Sequence, residues 1–250
     1  MARWAPLKKD QLEALASEIL HNYGRGRAIV AVDGASDAGM TQFADDLAEA
    51  VGTLGHEVFR ASIDDFRTPR SRREPRGRPE ATAIYHDGYD YSLLQRVLLD
   101  PFRATSGTGF VLAAFDAERD APMQSKWTTA GPDALLLIDG LFLNRPQLAD
   151  RWNYSIWVEL ERPDLGSAVA GSGGTGAAWV DAGRHVGTEP RETSVVIGDA
   201  ESPGQESDEG AATAGADAIY LAEADPRNKA TAIIDNRNPD SPRRAFADSC

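Results

Sequence analysis

The segment "AIVAVDGASDAGMTQFADDLAEAVGTLG", Ala28 to Gly55, carries three local codes in succession. Ala28 to Asp33 is an unbroken apolar run ending on a carboxylate, the pattern of a strand covered on both faces. Gly34, Gly39 and Thr41 then stand at the offsets of the phosphate-loop pattern G-x-x-x-x-G-K-[ST], with Met40 in the lysine position and Asp37 inside the turn. Phe43, Leu47, Ala50, Val51 and Leu54 recur on one helical face, and Gly55 supplies the stop. Strand, glycine turn and helix in this order predict the opening unit of a parallel α/β sheet.

A phosphate loop works because successive backbone N–H groups and a helix N-terminus converge on the anion while a lysine adds a mobile positive charge. Gly34 and Gly39 keep the turn, and Thr41 keeps a hydroxyl suited to a metal ion. Met40 brings a thioether, which is apolar and at best a weak acceptor. Asp37 adds a carboxylate where a polyphosphate would be repelled. Both departures make the loop less attractive to anions. Taken alone, the segment is equally a strand-turn-helix with no ligand.

The rest of the chain continues the alternation. Leu7 to Tyr23 has helical spacing at Leu12, Leu15, Ala16, Ile19 and Leu20. "HEVFRASIDDF" reads as a second strand with Asp64 and Asp65 at its end, and "YDYSLLQRVLLDPF" as a helix. "TGFVLAAFD" reads as a strand returning to the core, "DALLLIDGLFL" as a central strand ending at Asp139-Gly140, and "YSIWVEL" and "ATAIIDN" as further strands. "DAIYLAEADP" predicts an ordered, helical segment before the last of these. Ligands of open α/β sheets collect at the carboxyl ends of strands, where Asp33, Asp64, Asp65, Asp116 and Asp139 are expected.

The chain of 250 residues can bury one substantial core, and 26 Lys+Arg against 39 Asp+Glu give a net charge of -13. That balance works against general binding to nucleic acid or anionic lipid. The single cysteine, Cys250, excludes an internal disulfide. No apolar run suits a membrane span and no signal-like core follows "MARWAPLKKD", so a cytoplasmic setting is expected. Between Arg67 and Arg78 six arginines and one glutamate form a basic loop. "GSAVAGSGGTGAA" is too small and flexible to pack much core, and "GDAESPGQESDEGAATAGAD" reads as an acidic surface loop or flexible insertion. We expect one domain over residues 1–250, with a divergent lid and acidic insertion over 163–217.

Residues 29–70, together with "YHDGYDYSLLQRVLLDP", "DALLLIDGLFLNRPQLADRWNYSIWVEL" and "YLAEADPRNKATAIIDN", resemble the uridine kinase-like family of P-loop phosphotransferases. The resemblance spans roughly three quarters of the chain. It implies a three-layer P-loop kinase-like fold with a mainly parallel five-stranded sheet, ATP-Mg over the first loop, and a nucleoside or similar small alcohol beyond the second strand. On that resemblance Asp64 orients or deprotonates the acceptor hydroxyl, with Asp65 and Phe66 completing the motif. Thr41 is the magnesium-binding hydroxyl, and Asp139 is the acid near the metal. Tyr85, His86 and Tyr91 line the acceptor side, with His86 open to a general-base role through its ordinary pKa. The family's loop lysine is replaced by Met40, and Asp37 stands where it has a small residue. Its Arg-x-x-x-Arg-Asp lid is absent from "RPDLGSAVAGSGGTGAAW", with Arg162, Arg184 and Arg191 off its spacing.

Phosphoryl transfer rests on positioning and on cations that stabilise the transferred oxygens. The coordinated losses therefore point first to a repurposed kinase-fold enzyme that acts on a small metabolite without ATP. In it Asp64, Asp139, Asp33 and His86 supply acid-base chemistry for a biosynthetic cyclisation, dehydration or isomerisation. Asp65, Phe66, Tyr85, Tyr91, Arg67 and Met40 contact substrate, with Met40 as an apolar wall. No metal and no cofactor are expected under this reading. An atypical nucleoside or small-molecule kinase using ATP and Mg is the second reading, with the Arg67 to Arg78 loop reaching phosphate or recognising an anion on the substrate. A non-catalytic, pseudokinase-like binding protein is the third. The partner expected in the first two is a small molecule, and self-association is compatible with all three.

Overall fold

The computed structural model describes residues 6–73, 77–104, 107–160 and 205–246. The lid segment with Arg162, Arg184 and Arg191, the glycine-rich run within it, and Cys250 lie outside the described residues. The order of the principal elements is α1 (Pro6–Tyr23), β1 (Ala28–Gly34), α2 (Met40–Thr53), β2 (Val58–Ser62), α3 (Glu80–Asp87), α4 (residues 91–103), β3 (Leu135–Asp139), β4 (Tyr154–Glu159), α5 (Gln205–Ala224), β5 (Ala232–Asp235) and β6 (Arg243–Ala245). The α4 helix carries a π-helical turn over Gln95–Leu99.

These strands form a six-stranded sheet in the order β6-β5-β4-β1-β3-β2. β1 pairs in parallel with β3 and β4, β2 with β3, and β5 with β4. The expected five parallel strands are therefore present, and β6 adds an antiparallel edge. Every residue of β1 and of β3 is buried, as unbroken apolar runs at the centre of a parallel sheet require.

Alternation along each strand feeds two separate cores. Ile29, Ala31, Leu136 and Ile138 face a cluster with Phe66, Tyr85, Leu98, Phe102, Phe142 and Tyr220. Val30, Val32, Leu135 and Leu137 face Leu12, Ile19, Phe43, Leu47 and Val51 from α1 and α2. The result is a three-layer α/β fold with helices on both faces of a mostly parallel mixed sheet. Each fully buried Leu or Phe contributes roughly 1.5–3 kcal/mol by leaving water.

Three expectations are corrected. "TGFVLAAFD" does not enter the main sheet: Phe110–Val111 and Phe115–Asp116 form two-residue ladders with Trp127–Thr128 and Ala121–Pro122. Asp116 consequently does not end a strand of the main sheet, and its carboxylate accepts the local Glu118 and Arg119 N–H groups. The acidic run is not a loop from Gln205 onward, since Gln205–Ala224 is one helix. Ala216, Tyr220 and Ala224, spaced by four, are its buried stripe.

Candidate functional site at the carboxyl edge of the sheet

Strand register brings the predicted carboxylates to one level. Asp139 at the end of β3 lies beside Val32 of β1 and Ser62 of β2. Three turns leave this edge: the glycine loop after β1, a 3-10 turn over Ile63–Phe66 after β2, and the Gly140 turn after β3.

In the glycine loop, Gly39 adopts φ +71 immediately before α2, a left-handed conformation that suits glycine. Asn236 fixes the same turn by donating to the Ala38 carbonyl at 2.8 Å. At Gly34 an added Cβ would lie 2.4 Å from the Val158 carbonyl oxygen and 3.1 Å from Met40 Cγ. Met40 thus folds back under the loop, is 7% exposed, and packs in the core with Val30, Val32 and Phe43. It is not the apolar pocket wall expected from the sequence, because a long apolar side chain gains more by joining the core beneath α2. Asp37 is exposed. Ser36 donates its N–H at 3.3 Å and its hydroxyl at 2.5 Å to Oδ2 of Asp217, which comes from α5.

Behind the loop, Thr41 donates to Asp139 Oδ2 at 2.6 Å, while Arg60 donates to Asp139 Oδ1 at 2.9 Å. Arg60 also reaches Asp45 at 3.0 Å and the Ala61 and Leu137 carbonyls at 3.1 Å each. A hydroxyl beside a carboxylate is an oxygen pair of the kind a magnesium ion uses. Among the described residues no group of three or more His, Cys, Asp or Glu could hold a metal by itself.

The acceptor-side residues sit on the second turn. Gly140, at φ +133, allows this turn to approach: a Cβ there would fall 2.2 Å from Ile63 Cγ2. Ser62 Oγ accepts from the Asp64 N–H at 3.3 Å, starting the 3-10 turn. Asp64 and Asp65 are therefore about 120° apart on a 3-10 turn rather than on opposite faces of a strand. Asp64 Oδ1 accepts from Arg67 Nε at 2.9 Å and from the Tyr89 hydroxyl at 3.1 Å, and its side chain is 49% exposed. Partial burial pushes the Asp65 carboxyl up, and the charges of Asp64 and Asp139 push it further.

Phe66 and Tyr85, expected to touch substrate, are both in the core. Phe66 closes the 3-10 turn and is buried in the core cluster, whereas Tyr85 packs on Phe142 and Tyr220. Arg145, only 4% exposed, lies over the Tyr85 and Tyr91 rings at 4.8 and 4.5 Å and donates to the Tyr85 carbonyl at 3.0 Å. Burial pushes the Tyr91 hydroxyl up to about 12. His86 is exposed on α3 and is not a hydrogen-bond partner of Asp64. It lines a cavity of about 490 Å³ with Thr68, Arg72, Arg78, Tyr89 and Tyr91. Tyr89 connects this cavity to Asp64.

Asp33 is brought to the same edge but is sealed from solvent. Its Oδ1 accepts from Gly34 N–H at 2.9 Å, and its Oδ2 accepts from Asn144 N–H at 2.8 Å, from Asn144 Nδ2 at 2.9 Å and from the Tyr220 hydroxyl. Burial outweighs these donors and raises its carboxyl to about 6. The expectation of a cleft acid-base group is corrected here, because Asp33 is fully buried and its donors Gly34, Asn144 and Tyr220 are all internal. It ties the loop to α5 instead.

Sequence reasoning missed Arg60, Asn144, Arg145, Asp217 and Tyr220. Tyr220 was findable from its four-residue spacing with Ala216 and Ala224. Asp217 was hidden among acids that looked solvated, and no local signal marks Asn144 or Arg145.

No family model and no curated protein matches the chain. Solved structures do match. A possible uridine kinase from Bacillus stearothermophilus is 18% identical over 90% of this chain and 97% of its own, with a TM-score of 0.64. A protein from Silicibacter sp. TM1040 described as a candidate fructose transport system kinase is 23% identical over 88% of this chain and 94% of its own, with a TM-score of 0.52. These likenesses show a P-loop kinase-like fold spanning nearly all of both chains. No described helix is long and apolar enough to cross a membrane.

Proposed function

We propose that the chain is an atypical small-molecule kinase: an acceptor hydroxyl meets Asp64, and the phosphate donor lies over the start of α2. The observation that carries this is Asp64, held through one oxygen by Arg67 and Tyr89, on the turn beside the Thr41–Asp139 pair. The other Asp64 oxygen has no hydrogen-bond partner among the described residues and is free to accept from a hydroxyl.

ATP with magnesium would supply the phosphoryl group and the charge neutralisation that its transfer requires. Thr41 Oγ1 and Asp139 Oδ2 suit the ion, and the backbone N–H groups at the start of α2 suit phosphate. The lysine position does not fit, since Met40 is buried and offers no charge. This chain's own work is then positional: Asp64 accepts the hydroxyl proton, Tyr89 and Arg67 fix its carboxylate, and Gly140 keeps its turn close to Asp139. The cavity rimmed by Arg72, Arg78 and His86 receives the rest of the acceptor.

A second reading has its own supporting observation. Asp37 and Asp217 give the loop a carboxylate-rich surface, and the buried Met40 leaves its lysine position without charge, which favours metabolite chemistry without phosphoryl transfer. Calorimetry with ATP-Mg, followed by phosphate-release and metabolite-turnover assays, separates the two. Nucleotide binding weakened by Thr41→Ala, with transfer abolished by Asp64→Asn, is the kinase outcome. Nucleotide-independent turnover lost in Asp64→Asn would establish the second reading. Ligand binding unchanged by Asp64→Asn, without turnover, would leave only a binding role.

A further inference from the structure

The loop after β1 already holds an anion. Ser36 offers two donors in the middle of the glycine turn, and both go to one oxygen of Asp217, at 3.3 Å from the N–H and 2.5 Å from the hydroxyl. A carboxylate oxygen accepting a backbone N–H and a hydroxyl makes the contacts that a phosphate oxygen makes in such a loop.

The contact is built into the packing of α5. One helical turn after Asp217, Tyr220 is 1% exposed and donates to Asp33 at the end of β1, so two successive turns of α5 grip the start and the middle of the loop. Gly215 packs so tightly that an added Cβ would fall 2.8 Å from the Ala81 Cβ of α3. Ala216 and Ala224 are fully buried on the same side. The Asp217 carboxylate is carried by a docked helix and not by a free surface chain.

A phosphate group approaching Ser36 therefore finds both donors in use and meets the charges of Asp217 and Asp37 together. The loop itself, Gly34 to Thr41, contains no lysine. We propose that Asp217 is the residue that decides whether this loop takes phosphate: it stands in for the anion, and the loop opens to a phosphate-bearing ligand only when α5 withdraws this carboxylate. The inference rests on the loop being the donor side of the proposed kinase, and it adds a gate that would link α5 to donor binding.

The test is calorimetric titration of the full chain with inorganic pyrophosphate and magnesium, comparing the unaltered protein with Asp217→Asn and Asp217→Ala. Thermal melts establish that each variant is folded, and the near-isosteric Asp217→Asn keeps the test available if Asp217→Ala is not. At least tenfold tighter pyrophosphate binding is expected in both variants, with part of the gain lost when Ser36→Ala is added. Equal affinity in the unaltered protein and the folded variants overturns the proposal, as does an absence of binding in all of them. Phosphoryl transfer is measured separately. Tighter pyrophosphate binding without transfer would sink the kinase reading and leave the gate standing, whereas transfer with unchanged binding would do the reverse.

Discussion

Asp33 and Asp64 show how position, not residue type, assigns the work of a carboxylate. Asp33 is fully buried with its carboxyl raised to about 6, so the folded protein holds its proton more tightly than the unfolded chain does. Stability from this group is present below about pH 4 and is lost as pH rises through 6, a change on the order of 3 kcal/mol. Urea unfolding between pH 4 and 7.5 should show this decline in the natural protein and a flatter profile in Asp33→Asn; parallel profiles would contradict it. Asp64 is half exposed and anchored through one oxygen. Asp64→Asn should leave the melting temperature within about 2 °C, since exposed polar changes cost little. Transfer to an acceptor should fall by about 100-fold or more, the usual worth of a positioned base, read in a coupled nucleotide assay once an acceptor is in hand.

At the scale of elements, the site depends on two junctions. The first is the approach of the 3-10 turn to the end of β3, which only glycine at position 140 permits, both for its φ of +133 and for the 2.2 Å approach of a Cβ to Ile63. Gly140→Ala should destabilise the fold by about 1–3 kcal/mol through overpacking alone. Because the displaced turn carries Asp64, any transfer activity should drop further than stability explains. Activity retained at full level in a destabilised variant would show that the turn relaxes elsewhere. The second junction is α5 on β1 through Tyr220. Its hydroxyl donates to Asp33 and accepts from the Asn144 N–H at 2.9 Å. Tyr220→Phe should cost about 1–3 kcal/mol by leaving buried groups under-satisfied, measured by denaturant unfolding at pH 7, and a change below about 0.5 kcal/mol would mean that Asn144 and the Gly34 N–H satisfy Asp33 without it.

The whole molecule carries a net charge of -13, and its carboxylates converge on one sheet edge. Among the described residues, Arg60 and Arg67 are the cations that pair directly with the carboxylates at that edge, Asp139 and Asp64. Self-repulsion should be relieved by screening, so raising sodium chloride from about 10 mM to 200 mM should raise the melting temperature. A flat or falling response would mean that the local ion pairs, which salt weakens, outweigh the overall repulsion.

Much of this architecture was legible in the chain. The runs at Ala28–Asp33 and Leu135–Asp139 are apolar without interruption because both faces of a central parallel strand must be covered, and Gly34, Gly39 and Thr41 mark the turn that follows. Sheet order was not legible, nor was the exclusion of "TGFVLAAFD" from the sheet, because a short apolar run reads alike in a ladder and in a core. Phe66 and Tyr85 were placed in the site by their neighbours in sequence, whereas the 3-10 turn and the α5 stripe draw them into the core. By itself the sequence determined the layers, the glycine loop and the loss of its lysine, since these are written in local pattern and residue type. Only the tertiary structure decided that Met40 lies under the loop, that Asp33 is sealed, and that Asp217, 181 residues from Ser36 in sequence, takes both donors of Ser36. Those outcomes depend on which side chains long-range packing brings within a few ångströms, and no local pattern records that.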